Sequence, residues 1–277
     1  MKKEKVFIVV KTYPTISQKY IETVCTAGFR EDGSWIRLYP IPFRFLQKEQ
    51  RYKKYQWIEA ELVRNDKYDP RPESYRIHNV DDVKPLGEII SPGSNGQWEE
   101  RRKLVLEGKK IYTNTKELIS LARENKLSLA IFKADEIVKF IVEPIAPKDL
   151  QKSQKKVNEV LHQLKQGNLF SQQDLEDYKT MPMIPYTFSY QFKDDTGKES
   201  TLRILDWEIF QLYLNCCKNS DEQTAIAKVS RKYTDFVNNK DLYLFLGTTL
   251  EWHKRGKNPF VIIGLFYPPQ ITQPSLL

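Results

Sequence analysis

The strongest constraint on the fold is how the apolar residues are dealt out. They come in strand-length runs, several with period-2 alternation, cut by proline, glycine and asparagine, in no regular strand-helix-strand order. Val6-Phe7-Ile8-Val9-Val10 opens the first run, which extends to Tyr13. The turn Glu31-Asp32-Gly33 leads into a second, Ser34 to Tyr39, stopped by Pro40 and Pro42, and Tyr55 to Arg64 makes a third. Between the first two, Thr15 to Gln18 reads as a capping box ahead of a helix over Gln18 to Ala27. Its apolar positions Tyr20, Ile21, Val24 and Ala27 fall at helical spacing, and Gly28 serves as its stop.

Residues 65–96 are rich in Asp, Pro, Gly and Asn, with one short extended piece at Ser74 to His78, and form an irregular connection of the kind that carries binding loops. Beyond it the pattern predicts helices over Trp98–Leu106 and Thr115–Glu124, then strands over Ser128–Phe132 and Ile137–Val142. A Lys- and Gln-rich connector helix, Gln151–Gln166, carries the narrow apolar stripe Val157, Val160, Leu161 and Leu164. Tyr186–Phe192 and Thr201–Leu205 read as a hairpin whose aromatic face is core. Helices over Asp206–Cys217 and Asp221–Val237 follow, and Leu242–Thr248 and Phe260–Tyr267 make a final pair. The expected architecture is α+β with two domains, residues 1–147 and 148–277, each a small mixed or antiparallel sheet with packed helices.

Several classes drop out early. Cys25, Cys216 and Cys217 are odd in number and two are adjacent, so a disulfide framework is not expected. The first apolar run is too short for a signal peptide, and no apolar stretch reaches the roughly 18 residues that cross a bilayer, so the expectation is a soluble, cytoplasmic protein with no membrane partner. His78, His162 and His253 lack ligand spacing, and no glycine-rich loop precedes a Lys-Ser or Lys-Thr pair. Neither a metal nor a cofactor is expected on these grounds.

The 44 Lys+Arg against 36 Asp+Glu leave +8, which solvated surface alone can supply; clustering decides whether it means more. Alternation groups Phe7, Val9, Lys11 and Tyr13 with Trp35, Arg37 and Tyr39 and with Tyr55, Trp57, Glu59 and Glu61. The opposite face holds Ile8, Val10, Ile36, Leu38, Ile58, Ala60 and Leu62. Aromatics mixed with Lys and Arg suit base stacking and phosphate contact, and they suit equally a face packed against a second domain. Arg71, Arg76, Arg101 and Arg102 gather in the irregular connection, with Glu73, Glu99 and Glu100 close in sequence, and a basic loop carries Lys254 and Arg255.

The leading expectation is a nucleic-acid-binding protein that uses Lys11, Tyr13, Trp35, Arg37, Tyr39, Arg71, Arg76, Arg101 and Arg102, with Lys254 and Arg255 as a second contact. One alternative is a nuclease or phosphodiesterase in which Glu59 and Glu61 hold Mg²⁺ or Mn²⁺. The other is a protein-interaction subunit of a larger assembly. Asp206-Trp207-Glu208 reads as a helix start, with Asp206 as its cap.

Overall fold

A computed structural model describes residues 3–94, 96–166 and 180–271. The N-terminal half consists of β1 (Lys3–Lys11), β2 (Thr15–Ser17), β3 (Ile21–Arg30), β4 (Trp35–Ile41), β5 (Gln56–Arg64), β6 (Ser74–Ile77), β7 (Lys84–Leu86) and helix α1 (Glu99–Leu106). Strand β1 pairs antiparallel with β3 on one side and β5 on the other. The chain of pairings β3 to β4, β4 to β6 (parallel) and β6 to β5 closes the ring. This is a five-stranded barrel instead of the small sheet expected from the sequence. Closure leaves these strands without an open edge.

The alternation in β1, β4 and β5 sorts inside from outside. Val6, Ile8, Ile36, Leu38, Ile58, Ala60 and Leu62 fill the barrel, and Phe43, Leu46 and Tyr52 join the same cluster. Val10, expected on that side, instead packs outside, because the register of β1 against β3 shifts between Ile8 and Val10.

The helix expected over Gln18–Ala27 is instead mostly strand β3. Its residues are nearly all buried, with neighbours on both edges and cover on both faces. A strand buried on both faces loses the period-2 signal, and its apolar positions then mimic helical spacing. Gly28 sits within this strand, and a Cβ there would lie 2.1 Å from the Phe7 carbonyl oxygen. Its role is close backbone approach, not helix termination.

The C-terminal half has two sheets. β10 (Glu136–Pro144), β11 (Tyr186–Lys193) and β12 (Glu199–Arg203) form one, and β14 (Phe260–Phe266), β13 (Tyr243–Thr248), β9 (Leu129–Phe132) and β8 (Ile111–Tyr112) form the other in that order. Helices α2 (Thr115–Arg123), α3 (Pro147–Gln166), α4 (Trp207–Cys217) and α5 (Glu222–Asn239) complete it. Because β9 pairs with β13 from near the end of the chain and β8 joins through β9, a division at residue 147 cuts through this sheet. Phe188, Tyr190 and Phe192 of β11 are core beneath Phe210, Tyr213 and Tyr233.

The outer face of the barrel is where the halves meet. Phe7, Val9, Val10, Ala27 and Phe29 share one core cluster with Leu129, Ile131, Phe245, Ile263 and Phe266. Phe7, Phe245 and Phe266 are fully buried, and each contributes about 2 kcal/mol of transfer free energy. Of the two readings open for the aromatic face, a platform or a face packed on a second domain, it is largely the second, an interface within the chain. Among the described residues no helix is long and apolar enough to cross a membrane.

Candidate functional site

Two of the arginines expected to face a ligand are inside. Arg37, 2% exposed, donates from Nη1 to Ser128 Oγ at 2.6 Å and Ser74 Oγ at 3.2 Å, and from Nη2 to the Ser128 carbonyl at 3.1 Å. Glu73 accepts from the Ser128 amide and hydroxyl. Arg71 holds Asp69 in a two-pronged pair at 2.8 and 2.6 Å and donates to the Thr248 carbonyl. The Thr248 hydroxyl meets His253 Nδ1 at 2.9 Å, and His253 Nε2 meets Asn125 Oδ1 at 2.8 Å. Burial, with Arg71 and Arg37 nearby, lowers the His253 pKa to about 4. This network ties β4 and the loop before β6 to β9, β13 and the loop after it. Arg37 and Arg71 have no free fork to offer an external phosphate.

The remaining candidates fall into separate networks. Trp35 packs on Phe29 and Phe245, with ring centroids 4.2 and 5.7 Å away, as part of the interface. Arg101 lies over Tyr55 and Trp98 and donates to the Ile90 carbonyl at 2.7 Å. Arg102 pairs with Asp241 at 3.2 Å and donates to the Pro269 carbonyl, pinning α1 to the C-terminal half. Tyr39 is half-buried near Asn65, while Arg76 is exposed on β6. Lys254 and Arg255 are exposed, with Arg255 beside Trp252, a residue 49% exposed. The expected single arginine surface is therefore split.

Glu59 and Glu61 lie on the outer side of β5, opposite Lys5 and Lys3 of β1 in register, and Lys3 Nζ is 4.0 Å from Glu59. Cross-strand lysines offset their charge. Among the described residues, no three His, Cys, Asp or Glu side chains come together as metal ligands.

Lys11 and Tyr13 lead elsewhere. Beyond β1 the chain bonds to the segment before α4: Thr12 bridges to Asp206, and the Tyr13 amide donates to the Leu205 carbonyl at 2.9 Å. The Tyr13 ring packs on Phe210, and its hydroxyl donates to the Pro182 carbonyl at 2.7 Å. Lys11 is left on the wall of a cavity of about 430 Å³. The wall is shared with Lys54, Asp206, Trp207, Glu208, Gln211, Asn215, Lys232, Tyr233, Phe236 and Tyr267.

Charge within the cavity is unevenly divided. Lys54 Nζ lies 2.8 Å from Glu208 and 3.4 Å from Asp206, and donates to the Leu265 carbonyl at 3.1 Å. Burial works against its charge, but the two carboxylates outweigh burial and raise its pKa well above the usual lysine value. Asp206 also caps α4 through the Glu208 amide at 3.0 Å; burial raises its carboxyl to about 6 against the pull of Lys54. Lys11 Nζ instead donates to the Tyr52 carbonyl at 3.2 Å and stands 4.4 Å from the Phe43 ring and 5.4 Å from that of Trp207. Burial lowers its pKa to about 8, against the pull of Glu208 and Asp206.

Asp206 was legible as a cap. Lys54 was not: in Lys53-Lys54-Tyr55 nothing separates the buried lysine from its exposed neighbour until Asp206, 152 positions away, is beside it.

Two family models match the chain, and both describe domains of unknown function. DUF8758 covers residues 2–107, the barrel with α1, and DUF8757 covers residues 112–277, from α2 onward. No curated protein matches the sequence. The second match spans more than half of the chain, and this protein therefore belongs to the DUF8757 family.

Proposed function

We propose that this protein binds nucleic acid, and that it does so through the cavity between the end of the barrel and α4, not through an arginine-rich face. The observation that carries this reading is Lys11, an ammonium on a cavity wall with aromatic rings beside it and, among the described residues, no ion pair. A cavity of about 430 Å³ is in the size range of sites that take a small molecule or an extruded base. The rings of Trp207, Tyr233 and Tyr267 supply π surface, and the amides of Gln211 and Asn215 supply donors and acceptors for a base edge. The exposed cations Lys53 and Lys232 stand close enough to act electrostatically on the buried charges, and they suit phosphate contact at the rim.

The alternatives lose their supports. The protein-interaction reading rested on the aromatic face, which the C-terminal half now covers. The nuclease reading rested on Glu59 and Glu61, which cross-strand lysines offset.

The test is fluorescence anisotropy with short labelled single- and double-stranded DNA and RNA across a salt series. Binding should weaken linearly in log K against log salt. Lys11→Ala and Lys232→Ala should each weaken it by about tenfold, in the range of a lost charged contact. No binding to any of these at low salt removes the reading.

A further inference from the structure

Lys11, on which the binding reading rests, is held in a way that phosphate contact alone does not require. Of the cavity's two half-buried lysines, Lys54 takes up both carboxylates, while Lys11 has, among the described residues, the Tyr52 carbonyl and aromatic rings as partners. An ammonium held that way is poorly compensated for lost water. Burial accordingly lowers its pKa to about 8; Glu208 and Asp206 oppose the shift, and Lys54 and Lys53 add to it. About one Lys11 side chain in ten is then the free amine at pH 7, as a pKa one unit above the pH dictates. A desolvated lysine in an apolar pocket, able to shed its proton, is the arrangement that makes an amine a nucleophile toward carbonyl carbon.

We propose that Lys11 forms a Schiff base with an aldehyde on a ligand seated in this cavity, and that the aldehyde is the ring-opened sugar of a base-free nucleotide. The inference rests on the nucleic-acid reading above. The bases carry only amide-like carbonyls, which do not condense with amines, whereas a sugar that has lost its base opens to an aldehyde at C1′.

The chemistry balances. The amine lone pair attacks the aldehyde carbon, forming C–N while the carbonyl oxygen takes up a proton. The carbinolamine then loses water as its C–O bond breaks, and the nitrogen sheds its protons to leave C=N. Asp206, on the same cavity wall, protonates the departing hydroxyl and accepts the proton back. With a carboxyl titrating near 6, raised by burial over the opposing Lys54, it is suited to both steps.

The experiment treats the full-length protein with sodium borohydride, which reduces C=N to a stable secondary amine. One arm supplies duplex DNA with a single abasic site, and the other supplies free 2-deoxyribose 5-phosphate. Denaturing gels and peptide mass mapping read the product. The expected result is a covalent DNA adduct on Lys11, forming fastest between about pH 6 and 8, where Lys11 sheds its proton and Asp206 still holds one. Lys11→Arg should lose the adduct at least tenfold. The mapping is made on the unaltered chain, so it does not depend on the variant folding.

An adduct at Lys11 with the sugar phosphate, in a protein that binds no oligonucleotide, keeps the nucleophile and removes the nucleic-acid reading. DNA binding with no adduct at Lys11, or with adducts only on other lysines, overturns the proposal and leaves that reading standing.

Discussion

Arg37 donates to the hydroxyl of Ser128 at 2.6 Å across 91 positions of sequence, and this bond joins the barrel to the sheet of the C-terminal half. Arg37 is one of the largest fully buried side chains in the protein. It fastens the two halves together. Arg37→Leu should destabilise the fold by about 3 kcal/mol or more, because Ser74, Ser128 and Glu73 lose their partner or its charge inside the protein. Urea denaturation measures this, and an unchanged midpoint would contradict the latch. Oligonucleotide affinity should stay within about twofold while the variant is folded, since the guanidinium is inaccessible.

His253 makes acid sensitivity predictable. Between the Thr248 hydroxyl and the Asn125 amide oxygen the neutral ring fits as one acceptor and one donor, and burial lowers its pKa from 6.5 to about 4. The unfolded chain therefore takes up this proton first as the pH falls. The contribution is fully present above pH 6.5 and is lost between 6.5 and 4, amounting to about 3 kcal/mol. Chemical denaturation at several pH values should show that slope, and His253→Gln should flatten it.

Lys54→Met strands a carboxylate. Asp206 would keep its buried site without the ammonium 3.4 Å away, whereas Glu208 is 48% exposed and turns to water. Breaking such a pair from one side costs about 3–5 kcal/mol. The loss should be larger at pH 8 than at pH 5, because at the lower pH Asp206, already raised to about 6, protonates and needs no counter-ion. Equal losses at both values would show that the pair is not what Lys54 contributes.

Gly28→Ala tests the barrel. The added methyl would lie 2.1 Å from the Phe7 carbonyl oxygen, and backbone in a closed ring has little room to yield. The variant should lose about 3 kcal/mol or more, or fail to fold, as read by circular dichroism and thermal melting.

Much of this was legible in the sequence. Alternation in β1, β4 and β5 identified most of the residues that fill the barrel, and the aromatic repeat of β11 was readable as core, because period 2 reports which side of a strand is covered. The cap at Asp206 was legible because capping is local. Strand β3 was not, since burial on both faces erases the only periodic sign of a strand.

Local pattern was enough for most of the classes of element, the α+β character and the composition of the two faces of the first strands. What covers those faces depends on contacts between distant parts of the chain. The tertiary structure closed the sheet into a barrel, turned Arg37 and Arg71 inward, and brought Lys11 to the same cavity as Lys54 and Asp206. The reason is that side-chain patterns record local environment, whereas an arginine in a phosphate site and one in a buried network look alike in sequence. The difference between them is whether a partner such as Ser128 or Thr248, contributed by distant chain, has already taken the donors.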